Sequence, residues 1–214
     1  MMLWLQFAGA ILGVMGSLLL PILIVFIAYS VNSIEHKADT WKTLFSLPIS
    51  KLSVYSAKYL YALFLLFVCL ALFLALTLGA GNLLGMIKPA LKFHDYSIAH
   101  VLTEVYIKLF LSALGILSIQ FILSLLFRDF LKPMGIGFAA TIAGVIMASA
   151  DWTYAPWFPY AHPMLVIRLM AGHTHMTATS MSIDIFTKEI FISLAVSVAV
   201  FIGGYFIVLK KSVK

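Results

Sequence analysis

Residues 35–58 read EHKADTWKTLFSLPISKLSVYSAK and form the longest polar interval in the first half of the chain. Apolar sequence without a single charge flanks this interval on both sides, over residues 1–34 and 59–87. Because a bilayer core is crossed by about 20 apolar residues in a helix, each flank is long enough to span. The interval is therefore predicted to be a loop between two membrane spans.

A short helix is predicted inside this loop. Asp39 or Thr40 can cap its N-terminus by accepting a hydrogen bond from a free backbone N–H. Trp41, Leu44 and Phe45 then follow at positions i, i+3 and i+4, which places them on one helical face. The helix is predicted to be amphipathic, with an apolar face that something must cover.

Proline ends this helix and a serine starts the next one. Pro48 disfavours helix at the residue before it, which limits the first helix to about two turns. Ser50 can cap a second helix, on which Lys51, Tyr55 and Lys58 fall at i, i+4 and i+7. This second helix is predicted to run directly into the next span.

The composition places the whole chain in a membrane. Of its 214 residues, 63% are hydrophobic and 10% are charged, and this is outside the range of soluble domains. The net charge of +6 comes from lysines that border apolar spans, where they orient a membrane protein and meet anionic lipid. Nucleic-acid binding is not expected. Cys69, the single cysteine, cannot form an intramolecular disulfide.

The predicted fold is all-α, with one transmembrane domain that covers residues 1–214. Hydropathy predicts five transmembrane helices and the short helix of the 35–58 loop. The spans are expected at about 5–31, 59–80, 105–127, 133–150 and 190–209. Small residues repeat at spacing four in the fourth span, a pattern that lets helices approach closely. The members of this repeat are Ala140, Gly144 and Ala148.

The loop also carries a family resemblance. The run Glu-His-Lys-x-x-Thr-Trp-Lys-x-Leu-x-x-Leu-Pro-Ile-Ser-Lys, followed by Tyr-x-x-Lys, resembles the first cytoplasmic loop of permease subunits of type-2 ABC exporters. Within them it is similar to the lantibiotic-immunity permeases. The resemblance implies that the loop carries a coupling helix that contacts a separate ATPase subunit. The implied coupling residues are Glu35, Trp41, Lys42, Leu44, Phe45 and Pro48. A helix that merely lies on the membrane surface is the alternative, and Glu35 can equally be a charge at the membrane boundary.

Lysine and arginine predict the orientation, since cytoplasmic loops carry the excess of them. With the 35–58 loop inside, the cytoplasmic side holds Lys37, Lys42, Lys51, Lys58, Arg128, Lys132, Lys210, Lys211 and Lys214. The other side holds Lys88, Lys92, Lys108, Arg168 and Lys188. The N-terminus is therefore predicted outside and the C-terminus inside the plasma (inner) membrane. The family pattern has six spans, so the first helix of the family is expected to be missing here.

No catalytic, cofactor or metal site is predicted in this chain. No Gly-x-x-x-x-Gly-Lys-[Ser/Thr] occurs, so ATP is expected to bind a partner subunit. His162, His173 and His175 are close in sequence without a metal-binding pattern, and they are interpreted as solvated loop histidines. Lys108 is predicted to snorkel to the interface. Gln120, deeper in its span, is predicted to form a hydrogen bond across helices.

The function predicted from these features is that of an export permease subunit. Its expected partners are an ABC ATPase subunit, membrane lipid, and a second permease chain, either as a homodimer or as a sister permease. The resemblance implies a peptide antibiotic or a lipid-like compound as cargo. The alternatives are a membrane scaffold that anchors an ATPase without transport, and an intramembrane metal-dependent hydrolase that uses the external histidines.

Overall fold

The computed structural model describes residues 2–38, 50–89, 98–127, 129–172 and 184–210. Every regular element in these ranges is helical, and no strand occurs within them. Five helices there are long and apolar enough to cross a membrane: Gln6–Ser33, Lys51–Ile87, Ala99–Leu126, Leu131–Ser149 and Lys188–Lys210. The prediction of an all-α polytopic membrane fold with five spans is therefore confirmed.

The first span is built from two helices with a wider turn between them. Helix α1 covers Met2–Val14, a π-helical turn covers Met15–Leu19, and α2 covers Leu20–Ala38. The π turn directly precedes Pro21, whose ring nitrogen cannot donate to the carbonyl four residues earlier. Gly16 lies in this turn, and a Cβ there would overlap the side chain of Ile167. The turn therefore makes room for a later segment of the chain.

Helix α3 covers Lys51–Ile87 and is the longest in the described part of the protein. Its 37 residues extend to about 55 Å at 1.5 Å per residue, well beyond a hydrocarbon core of about 30 Å. The Ser50 side chain accepts a hydrogen bond of 3.1 Å from the Ser53 N–H, which confirms the predicted cap. The helix also continues past the predicted end of the span near residue 80. Gly81 lies within it, and the Trp4 indole packs where a Cβ would be.

Helix α4, Ala99–Leu126, forms the centre of the bundle. It packs most extensively against α7, Lys188–Lys210, and then against α2 and α3. Its contact face combines apolar side chains with three serines at spacing six, Ser112, Ser118 and Ser124, all of them buried. Hydrogen-bonding residues on a central helix are expected in a membrane bundle, because apolar contact with a neighbouring helix is little better than contact with lipid.

The segment after helix α5, Leu131–Ser149, folds back into the bundle. Two 3-10 turns, Ala155–Trp157 and Pro159–Ala161, lead into α6, His162–Gly172. The turn at Pro159–Ala161 packs on α5, and α6 packs on α1, α4 and α5. Val166 and Ile167 of α6 are buried. A segment rich in proline and aromatic residues therefore provides a helix that forms part of the core.

Candidate functional site

Consecutive spans run in opposite directions, which gives the bundle two ends. The loop end carries the helix termini that flank the 39–49 segment and their neighbours: Ala38, Ser50, Leu126, Leu131 and Lys210. The far end carries the opposite termini: Met2, Ile87, Ala99, Ser149 and Lys188. Hydrogen bonds that cross between helices at each level support this assignment, for example from Asn32 to Ser124 and from Lys108 to the Asp184 carbonyl.

The central residues of the predicted coupling helix lie outside the described part of the chain. They are Trp41, Lys42, Leu44, Phe45 and Pro48. Glu35 lies in the last turns of α2, whose helix ends at Ala38. The structure therefore shows the two helices that flank the 39–49 segment and their contacts with the rest of the bundle.

A buried asparagine joins α2 to the central helix at the loop end. The Asn32 side chain has no exposed surface, and its Nδ2 donates to Ser124 Oγ at 2.8 Å and to the Phe121 carbonyl at 3.3 Å. The Ser124 hydroxyl lies 2.9 Å from the carbonyl of Ala28, back on α2. Bonds in both directions between the two helices hold α2 and α4 in one register.

Two lysines fasten the start of α3 to its neighbours. Lys58 Nζ donates to the Val31 carbonyl of α2 at 2.9 Å, and Lys51 Nζ lies 3.5 Å from the Leu209 carbonyl of α7. A cation near the C-terminal carbonyls of a helix is also favoured by the helix dipole. Lys58 thus ties the helix before the 39–49 segment to the helix after it, and Lys51 ties the start of α3 to the end of α7.

Further inside the bundle, tyrosine hydroxyls link α3 to α4 and α7. Tyr59 Oη lies 2.6 Å from Ser118 Oγ and 2.9 Å from Ser197 Oγ, and the two serine oxygens are 2.9 Å apart. One turn earlier, Tyr55 donates to the Phe201 carbonyl at 3.0 Å. Polar bonds therefore connect α3 to both α4 and α7, and they connect α2 to α4.

The small residues of α5 pack within the chain. A Cβ at Gly144 would lie 2.5 Å from the carbonyl carbon and oxygen of Tyr160, so the backbone of the returning segment touches α5 here. Ala148 has no exposed surface, and Ala140 is half-buried against the core. This close approach is what the spacing of the three residues favours.

Lys108 does not snorkel, contrary to the prediction. Its side chain is 1% exposed, Nζ donates to the Asp184 carbonyl at 2.7 Å, and Nζ lies 3.8 Å from Glu189 Oε1. The carboxylate comes from the start of α7, which packs along α4. Because a charge removed from water needs a partner of opposite sign, the pair explains how the lysine remains inside the protein.

His162 is likewise not a solvated loop histidine. It opens α6 with no exposed surface, and its Nε2 lies 2.8 Å from the Pro156 carbonyl. Burial lowers the pKa of His162, although the Pro156 carbonyl and the charge of Glu189 act in the opposite direction. The other two histidines of that interpretation, His173 and His175, lie outside the described residues.

Gln120 forms the predicted bond across elements. Its Nε2 donates to the Tyr160 hydroxyl at 2.7 Å, which connects the central helix to the returning segment. Burial raises the pKa of Tyr160 to about 12, so the phenol is neutral at physiological pH.

At the far end, Arg168 of α6 forms a 2.7 Å ion pair with Asp151, and this arginine lowers the pKa of the Asp151 carboxyl. These contacts hold the returning segment against α4 and α5.

Among the described residues, no group of three or more His, Cys, Asp or Glu side chains is placed to hold a metal ion. Asn32 and Glu189 are two residues of these networks that the sequence interpretation missed. An asparagine within an apolar span is a detectable signal, because it needs a partner there. Glu189, at the start of a span, has no local feature that distinguishes it from an ordinary boundary charge.

Comparison with known proteins gives one match. The sequence model of a family described as "ABC-2 family transporter protein" matches residues 2–144, about two thirds of the 214-residue chain. The matched region includes the 39–49 segment, α2, α3 and α4. No curated protein and no solved structure matches the chain.

Proposed function

Since this chain belongs to the ABC-2 family of transporter proteins and is the membrane permease component of an ABC transporter, we propose that it is an export permease driven through its 39–49 segment. The observation that carries the proposal is the way in which the flanking helices are fastened. Asn32 bonds α2 to α4, and Lys58 bonds α3 to α2. In this proposal, an ABC ATPase subunit binds the segment and moves α2 and α3 together.

The polar bonds set the direction in which such a movement travels. A displacement of α2 reaches α4 through Asn32 and Ser124, which are bonded at 2.8 Å. A displacement of α3 reaches α7 through Tyr55 and Tyr59. Rigid helices linked at fixed points shift as bodies, since packed helix interfaces are bistable rather than continuously deformable. Closure of the ATPase would therefore rearrange the middle of the bundle.

A second permease chain, identical or a sister, completes the proposed transporter. In the described part, the spans of one chain pack around the central helix α4, and we propose that helices of two chains together line the path. The resemblance of the loop to lantibiotic-immunity permeases supports a peptide antibiotic or a lipid-like compound as cargo. Membrane lipid surrounds the assembly, and the ATP is bound by the partner subunit.

Co-expression with an ABC ATPase tests this function. The chain is purified together with the ATPase, reconstituted into lipid vesicles, and supplied with ATP and a fluorescent lipid or a labelled antibiotic peptide. We expect ATP-dependent movement of cargo from the complex and no ATP hydrolysis from the permease chain alone. A stable complex that hydrolyses ATP without moving any cargo would favour the scaffold alternative. Hydrolysis by the lone chain would remove the permease assignment.

The orientation is tested by cysteine labelling. Single cysteines at positions 46, 94, 175 and 212 in a Cys69→Ala background are exposed to a membrane-impermeant maleimide in intact cells. We expect labelling at 94 and 175 only, because nine of the fourteen lysines and arginines lie on the side of positions 46 and 212. Labelling of all four positions after the cells are opened is the control. Labelling at 46 in intact cells would reverse the orientation.

A further inference from the structure

Three titratable side chains meet at the far end of the bundle, where α4, α6 and α7 join. Lys108 is 1% exposed, Glu189 is 9% exposed, and His162 is fully buried. The ion pair of Lys108 and Glu189 holds the start of α7 on α4, and the bond from Lys108 to the Asp184 carbonyl holds the segment before it. We call Lys108, Glu189 and His162 the far-end cluster.

The hydrogen bonding of His162 determines which ring nitrogen carries the proton. A backbone carbonyl only accepts, so the 2.8 Å contact with Pro156 places the ring proton on Nε2. The other nitrogen, Nδ1, is buried and has no hydrogen-bond partner among the described residues. A neutral imidazole tolerates this position for Nδ1. An imidazolium does not, because a second N–H would be buried without an acceptor.

We propose that His162 is a proton-binding site whose occupancy releases α6 and the start of α7 from the central helix. The carboxylate within electrostatic reach of the ring is Glu189, and it is already paired with Lys108. A proton on Nδ1 is stabilised either by drawing Glu189 away from Lys108 or by admitting water. Both outcomes weaken the contacts that hold α7 on α4 at the far end.

The other charged groups around the cluster have partners of their own. On α4, Glu104 lies 3.4 Å from His100, which is largely exposed. On α6, Arg168 is paired with Asp151, and at the start of α7 the Lys188 ammonium lies 4.9 Å from the ring centroid of Trp157. Asp184 contributes its carbonyl to Lys108, and its carboxylate acts on that lysine as a further negative charge. Among the described groups of this region, His162 is the one with a vacant ring nitrogen.

The direction in which pH shifts the opening equilibrium follows from the pKa of His162 in the closed bundle and in the opened cluster. In the closed bundle, burial holds the pKa of His162 below its ordinary value of 6.5, and in an opened, hydrated cluster the ring returns towards that value. Well above pH 6.5 the ring is neutral in both states, so pH has no effect. Below it, the open state binds the proton more tightly. The ratio of open to closed molecules then rises by up to about tenfold per pH unit, until the pKa of the closed state is reached.

Hydrogen exchange in detergent micelles tests this site, and the experiment needs neither ATPase nor cargo, so it is independent of the proposed export function. The measured quantity is the opening equilibrium of backbone amides in residues 162–168 and 188–193, corrected for the intrinsic effect of pH on exchange. In the wild-type protein we expect a rise of up to about fivefold between pH 6.5 and 5.5 in both segments, because at pH 6.5 the open state is already half protonated. Amides at the loop end are expected to change little.

Two variants assign the effect to His162. His162→Gln keeps a side-chain donor for the Pro156 carbonyl but does not titrate, and it is expected to abolish the rise. His100→Gln removes an exposed histidine at the same end of the bundle. This variant is expected to behave as wild type. If the glutamine variant does not fold, His162→Asn replaces it. A wild-type protein without the rise, or the same rise in folded His162→Gln, would overturn the proposal.

Discussion

Leu44→Asp is expected to abolish both ATPase co-purification and cargo export while leaving membrane insertion unchanged. The predicted loop helix has about two turns, and isolated helices below about 12 residues are marginal in water. Its apolar face of Trp41, Leu44 and Phe45 must therefore be covered by a partner or by lipid headgroups. In a partner groove, a charge at the centre of this face is not tolerated. On a headgroup surface, it costs much less.

Trp41→Ala gives a graded version of the same test. A buried aromatic anchor at an interface contributes about 2 kcal/mol or more, which corresponds to a loss of affinity of about 30-fold. The matched control is Thr43→Asp, which adds the same charge as Leu44→Asp on the opposite side of the predicted helix. Binding is measured as the yield of ATPase per membrane-inserted permease. Wild-type yield and export from both Leu44→Asp and Trp41→Ala would mean that the helix only rests on lipid.

Asn32→Leu separates binding of the ATPase from transmission of its movement. Leucine is close in size to asparagine and leaves no buried amide, but it removes the bonds to Ser124 and Phe121. We expect ATPase binding close to wild type and a loss of about tenfold in cargo moved per ATP, because the movement of α2 is no longer passed to α4 through this bond. A variant that transports as wild type would show that movement reaches α4 by packing rather than through Asn32.

Lys108→Met is expected to lower the free energy of unfolding by about 3–5 kcal/mol, because it leaves Glu189 buried without a partner. The double variant Lys108→Met with Glu189→Leu is expected to recover most of this loss, since replacing both members of a buried pair by apolar side chains is often neutral. Unfolding is followed by circular dichroism as sodium dodecyl sulfate is titrated into mixed micelles.

The control for this prediction is Lys88→Met, which removes an exposed lysine at the end of α3 and is expected to change stability by less than about 0.5 kcal/mol. The cycle of single and double variants isolates the interaction between Lys108 and Glu189. Equal stabilities of Lys108→Met and Lys88→Met would contradict the burial of the charge. A double variant as unstable as the sum of the singles would show that the two side chains act independently.

The match between sequence and structure differs from one element to another. The cap by Ser50 is confirmed, because a cap depends on residues three positions apart. The bond of Gln120 across elements is also confirmed, because a buried amide within a span must find a partner. By contrast, the proline and aromatic residues of the segment 151–189 suit a membrane interface as well as a packed core. They do not indicate that α6 packs on α1, α4 and α5.

By itself, the sequence determined that this protein is an all-α membrane protein with five spans, since hydropathy and length depend on consecutive residues only. It also identified the loop that resembles a coupling segment. Only the tertiary structure decided that Asn32 meets Ser124, that Lys108 meets Glu189, and that His162 is buried. Asn32 and Ser124 are 92 positions apart in the sequence (124 − 32), and Lys108 and Glu189 are 81 positions apart (189 − 108). Whether such residues meet depends on how each helix is rotated about its axis and which helices are neighbours, and the packing of the whole bundle sets both.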